Sequence, residues 1–177
     1  MQEPIPSPLA LDADSYAARV HARQRRRHTG EPYIVHPRAV ARIIEKYRND
    51  PEIIAAALLH DTVQDQLAGL DCLHRRFTPY VTILVLALTK PSGPEDGSRE
   101  LRNAMDRLYL AKAPRDAKVI KVAEIMTNLD DLAAHDIAGA RQYAREKLED
   151  LLVLTVPGVP MELLSEVKTR IEKILHT

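Results

Sequence analysis

Hydrophobic and polar positions follow a helical period along most of this chain, and strand-like alternation is nearly absent. One stretch departs from the amphipathic rule. From Ile53 to Leu59 the chain is apolar on nearly every side, which predicts a helix inside the protein rather than on its surface. Pro51 suits the first position of that helix, where a missing N–H costs nothing. The run then ends in His60-Asp61-Thr62-Val63-Gln64-Asp65. At about 100° per residue, His60 and Gln64 share one stripe and Asp61 and Asp65 the next. A buried helix that ends in an imidazole and carboxylates must satisfy them, because unpaired buried charge is costly. A metal ion does so well.

The remaining pattern predicts helices over about 14–27, 36–48, 70–77, 79–89, 98–112, 114–134, 137–154 and 161–176. Residues 1–12 read as an extended tail, and 13–177 as one domain. Thr29-Gly30-Glu31-Pro32 is a turn by composition, and 90–97 is a Pro/Gly loop of the kind that often covers a site. The expected fold is all-α, a bundle of about eight helices around a metal site.

Composition narrows the class. The chain has 177 residues, 45% of them hydrophobic, enough for a substantial core. Lys+Arg number 25 and Asp+Glu 25, so no global field draws the protein to nucleic acid or membrane. Aromatic residues at 4% leave few stacking platforms for a nucleic-acid strand. Cys72 is the single cysteine, which excludes an internal disulfide and fits a reducing, cytoplasmic setting. No apolar run approaches the roughly 20 residues that cross a bilayer.

Three further groups bear on the chemistry. His36 stands at a helix start with its backbone set by Pro37; by itself it reads either as a structural cap or as a ligand. Lys121, Glu124 and Asn128 recur at spacings of three and four, which by pattern alone is the wet face of an amphipathic helix. The basic run from Arg19 to His28 reads as a solvated face, or as a source of one or two phosphate- or base-contacting arginines. A His–Asp doublet joined by another imidazole and another carboxylate makes a mixed N/O site. Such a site suits Mn²⁺, Fe²⁺ or Zn²⁺ better than Ca²⁺ or Mg²⁺.

The segment Arg27-His28-Thr29-Gly30-Glu31-Pro32-Tyr33-Ile34-Val35-His36-Pro37, followed by Ala55 to Asp65, resembles the hydrolase domain of RelA/SpoT-type alarmone enzymes in the HD phosphohydrolase superfamily. Val119 to Asn128 resembles a third block of that family, and the blocks occur in the family's order. The resemblance implies an HD-domain helical bundle. It makes His36, His60, Asp61 and Glu124 the metal ligands, and Gln64 and Asp65 the catalytic pair. Arg27, His28 and Thr29 become contacts to the purine base, and Asn128 a contact to the nucleotide. The implied reaction is Mn²⁺-dependent removal of the 3′-diphosphate from the small-molecule nucleotide (p)ppGpp.

Two positions depart from the family pattern. Glu124 stands where the family has aspartate, which adds one methylene of reach. Gln64 stands where it has glutamate, and an amide holds a water but does not accept its proton. Two other functions share these residues: hydrolysis of another nucleotide such as NADPH, and a degenerate HD domain that binds nucleotide or a partner without turnover.

Overall fold

A computed structural model describes residues 7–65 and 67–176. Among them are nine α-helices and one isolated antiparallel bridge, between Arg25 and Pro32. The chain divides into two compact units, Met1–Thr89 and Lys90–Thr177.

The first unit is built on the apolar run. Helix α3 (Pro51–Gln64) is capped by Asp50, whose carboxylate accepts from the Glu52 and Ile53 amides. That bond satisfies donors the helix leaves orphaned. Ile53, Ala55, Ala56, Ala57 and Leu59 are wholly buried. Helices α1 (Pro8–Val20), α2 (Val35–Glu45) and α5 (Pro79–Leu88) pack against α3. Three successive alanines let them approach closely, while Ile53 and Leu59 each contribute about 1.5–3 kcal/mol of apolar burial. A short α4 (Leu70–Arg76) packs on α5. Arg38 of α2 donates to both Asp14 carboxylate oxygens of α1, at 2.7 and 2.8 Å, and so ties the two outer helices together.

The expected first helix and tail need correction. Residues 1–6 lie outside the described residues, but the helix already starts at Pro8, with the Ser7 hydroxyl accepting from the Ala10 amide at 3.1 Å. It stops at Val20, seven residues before the expected end at Arg27. The physical reason is burial: Ala10, Ala13, Ala17 and His21 occupy one buried stripe. Beyond His21 the basic run offers no apolar residue to extend that stripe. The chain turns instead. The Arg26 amide donates to the Glu31 carbonyl at 2.8 Å, the Tyr33 amide donates to the Gln24 carbonyl at 3.1 Å, and Gly30 takes a positive φ of 72°.

The second unit packs α7 (Arg115–His135), α8 (Ile137–Leu154) and α9 (Met161–His176) together, with α6 (Arg99–Ala111) against α8. Helix α7 is buried over most of its circumference, from Asp116 through Ile120 and Val122 to Leu129. The side chains of Ser98 and Asp136 cap α6 and α8.

Candidate active site and metal centre

In the first unit, His60 and Asp61 stand near the C-terminal end of α3 and His36 at the second residue of α2. The three side chains converge, each offering one ligand atom within 4.8 Å of the others. Asp61 Oδ2 lies 3.2 Å from His60 Nε2 and 3.6 Å from His36 Nε2. His60 Nδ1 is 2.7 Å from the Ala57 carbonyl, which only accepts, so Nδ1 carries a proton and Nε2 is the ring atom turned toward Asp61. A bare nitrogen and a carboxylate oxygen at 3.2 Å repel unless a cation or a proton lies between them. Two imidazoles, one carboxylate and a tautomer held by a backbone carbonyl match what a divalent transition metal requires.

Tyr33 completes this cluster, and the sequence reading did not assign it a role. Its hydroxyl donates to Asp61 Oδ2 at 2.7 Å, and its ring stands 5.8 Å from that of His36. Burial and the neighbouring Asp61 carboxylate push the Tyr33 hydroxyl far above its ordinary range, so it remains a donor. Burial acts to raise the Asp61 carboxyl as well. The His60 and His36 imidazoles, when they carry positive charge, and the Tyr33 hydrogen bond outweigh that effect and hold it well below the usual carboxylate range.

Gln64 ends α3, and Asp65 is its C-cap residue. Asp65 Oδ2 accepts from Gln24 Nε2 at 3.1 Å, and Gln24 Oε1 meets Nδ1 of the buried His21. Burial raises the Asp65 carboxyl above its ordinary value, with the Gln24 hydrogen bond opposing. Neither His21 nor Gln24 entered the candidate set. The signal was available: His21 continues the stripe of Ala10, Ala13 and Ala17 at helical spacing. Arg27 and Thr29 are exposed and His28 is half-buried, within the turn closed by Arg25 and Pro32.

The second unit holds Glu124 and Asn128. The expectation of a wet face along their stripe is overturned, since Lys121 is only 7% exposed and Glu124 is half-buried. Polar groups survive there because they pair. Lys121 Nζ donates to Glu124 Oε2 at 2.7 Å, and Asn128 Nδ2 reaches Glu124 Oε1 at 3.5 Å and the Tyr143 hydroxyl at 3.3 Å. These side chains line a cavity of about 410 Å³ together with Lys90, Arg99, Arg102 and Lys147. Burial, then repulsion from Lys121, lowers the pKa of the Lys90 ammonium.

An all-α chain with a His, His-Asp cluster at the end of its buried helix defines the HD class. A model of the HD domain matches residues 13–149, and the chain belongs to that family. Its curated relatives place it in the RelA/SpoT-type branch. It is 37% identical over 135 residues to a GTP pyrophosphokinase of Streptomyces coelicolor, covering 75% of this chain and 16% of that protein. The chain thus spans under a fifth of the length of the long relatives it matches. It is 39% identical over 128 residues to the human guanosine-3′,5′-bis(diphosphate) 3′-pyrophosphohydrolase MESH1, covering 69% of this chain and 68% of that protein. A solved structure described as a metazoan ortholog of SpoT that hydrolyses ppGpp superposes with a TM-score of 0.80. That match has 27% identity and covers 98% of this chain and 97% of the other.

Proposed function

We propose that the protein is a metal-dependent nucleotide pyrophosphohydrolase that removes the 3′-diphosphate of (p)ppGpp, yielding GDP or GTP and pyrophosphate. The observation that carries this reading is the convergence of His36, His60 and Asp61 at the end of α3. The relatives named for this reaction and the continuous HD match across both units support it, and support treating 13–177 as one hydrolase domain.

His36, His60 and Asp61 hold a divalent ion, Mn²⁺ in our reading of a mixed N/O donor set. When bound, that ion supplies Lewis-acid polarisation of a phosphoryl oxygen and acidifies water. The chain's own residues then divide the work. Gln64 orients the attacking water through its amide, and Asp65 takes the water's proton. Oxygen attacks the phosphorus attached to the 3′ oxygen, the P–O bond breaks, and the 3′ oxygen leaves and gains a proton. Arg27, His28 and Thr29 contact the purine, and Asn128 contacts the nucleotide from a cavity rich in cations. Glu124 is proposed as a fourth ligand on the sequence match of its helix segment alone. Its test is Mn²⁺ affinity by calorimetry, where Glu124→Ala weakens binding and Glu124→Asp preserves it.

The experiment that tests the function is pyrophosphate release from ppGpp by the purified protein with added Mn²⁺, beside a chelated control. Metal-dependent release supports the reading, and His60→Ala then abolishes it. No release from protein shown to bind Mn²⁺ overturns the alarmone substrate and directs the search to other nucleotides such as NADPH.

A further inference from the structure

We infer that His21 and Gln24 are positioning residues for Asp65, acting as a two-link hydrogen-bonded strut from the end of α1 to the end of α3. The inference rests on the catalytic role proposed above for Asp65. Its geometric part stands without that role.

The chain of bonds has a definite direction. An ionised carboxylate only accepts, so the side-chain amide of Gln24 must turn its NH₂ group to Asp65 Oδ2, which it meets at 3.1 Å. Its oxygen then faces His21 Nδ1. A carbonyl oxygen accepts, so Nδ1 must carry the proton. The Nε2 atom of His21 is buried and finds no hydrogen-bond partner among the described residues, which fits a ring whose one committed contact is Gln24. His21 itself is 1% exposed.

Packing holds the strut at its far end. The rings of His21 and Tyr33 lie 4.9 Å apart, and the Gln24 carbonyl accepts from the Tyr33 amide. Tyr33 in turn donates to Asp61. One buried imidazole therefore stands behind two arms, one reaching the metal-ligand carboxylate and one reaching the carboxylate proposed as the base. With glutamine at position 64, Asp65 is the carboxylate left to accept a proton, and its orientation is what the strut controls.

The test reads the ring first and the rate second. In ¹⁵N NMR of the metal-free protein, His21 shows the Nδ1–H tautomer in the wild type, and Gln24→Leu disperses that preference. An Nε2–H tautomer in the wild type overturns the inference whatever the substrate proves to be. In ppGpp hydrolysis with Mn²⁺, Gln24→Leu and His21→Leu lower kcat roughly tenfold to a hundredfold with KM little changed, as a misplaced base does. His21→Asn, whose amide N–H takes the place of Nδ1–H, restores most of the rate. Full kcat in folded Gln24→Leu, or no difference between His21→Asn and His21→Leu, overturns the positioning role while leaving the proposed function intact. A wild type silent on ppGpp overturns the proposed function, and the tautomer still decides the strut.

Discussion

The Tyr33 hydroxyl donates at 2.7 Å to Asp61 Oδ2, the same oxygen that His60 Nε2 approaches at 3.2 Å. The carboxylate is thereby aimed from one side by a neutral donor that burial keeps protonated. Groups that hold a ligand in this way typically change metal affinity by about 10- to 100-fold when lost. Tyr33→Phe keeps the ring and removes only the donor. We expect its Mn²⁺ affinity to fall by that factor in titration calorimetry, with the fold intact by circular dichroism. Unchanged affinity would show that Asp61 needs no such support.

In the mechanism proposed above, Gln64 and Asp65 separate two duties that one glutamate could combine. Asp65→Asn removes the remaining proton acceptor and should lower kcat by about 10²- to 10⁴-fold, the usual contribution of a general base. Gln64→Glu supplies a second acceptor one residue away and should raise kcat at least tenfold. Steady-state pyrophosphate release measures both. A Gln64→Glu protein no faster than wild type would mean the site is built around the amide.

The pH dependence follows from Asp65. Burial raises its carboxyl above the ordinary aspartate value of 3.8, the Gln24 hydrogen bond opposes this, and the Asp61 charge adds to it. A base works only when ionised, so kcat at saturating Mn²⁺ should climb with pH through that raised value and fall away below it. The sign for folding is the reverse. The folded state holds this proton more tightly than the unfolded chain does. That contribution to stability is therefore complete below 3.8 and is lost as pH rises through the folded value. An acid limb at or below the ordinary aspartate range would exclude Asp65 as the base.

Glu124 also carries a structural load. Lys121 and Glu124 form a largely buried ion pair, with side chains 9% and 13% exposed. Removing one partner of such a pair costs about 3 kcal/mol, because the other charge stays desolvated. Glu124→Ala should lose stability of that order in urea unfolding, while Glu124→Asp should lose much less. A loss under about 0.5 kcal/mol, the usual effect at an exposed position, would return this stripe to the solvated face that its spacing suggests.

Most of the fold was legible in residue order alone. The apolar run from Ile53 to Leu59 required a buried helix, and the expected helix starts at Pro51, Pro79, Ser98 and Ile137 are kept by the structure within a residue or so. His60 and Asp61 were legible at the end of that helix, whereas His36 by itself read as cap or ligand and joined them only through the family resemblance. What spacing could not supply was the partner of each polar group. Arg23 to Arg27 have good helical propensity, yet the helix ends at Val20 because none of residues 22–27 adds a buried apolar side chain to its stripe. Lys121, Glu124 and Asn128 look solvated in sequence, yet they are drawn inward because they satisfy one another.

By itself, then, the sequence determined most of the helices, the buried axis of the first unit and the adjacent His60 and Asp61 at its end, because period and residue chemistry are local properties. Tertiary structure alone decided that Tyr33 holds Asp61 and that His21 and Gln24 stand behind Asp65. Gln24 and Asp65 are 41 positions apart in the chain, and Tyr33 and Asp61 are 28. Hydrogen bonds over such separations depend on how α1, the turn after it and α3 pack, and local pattern does not encode that.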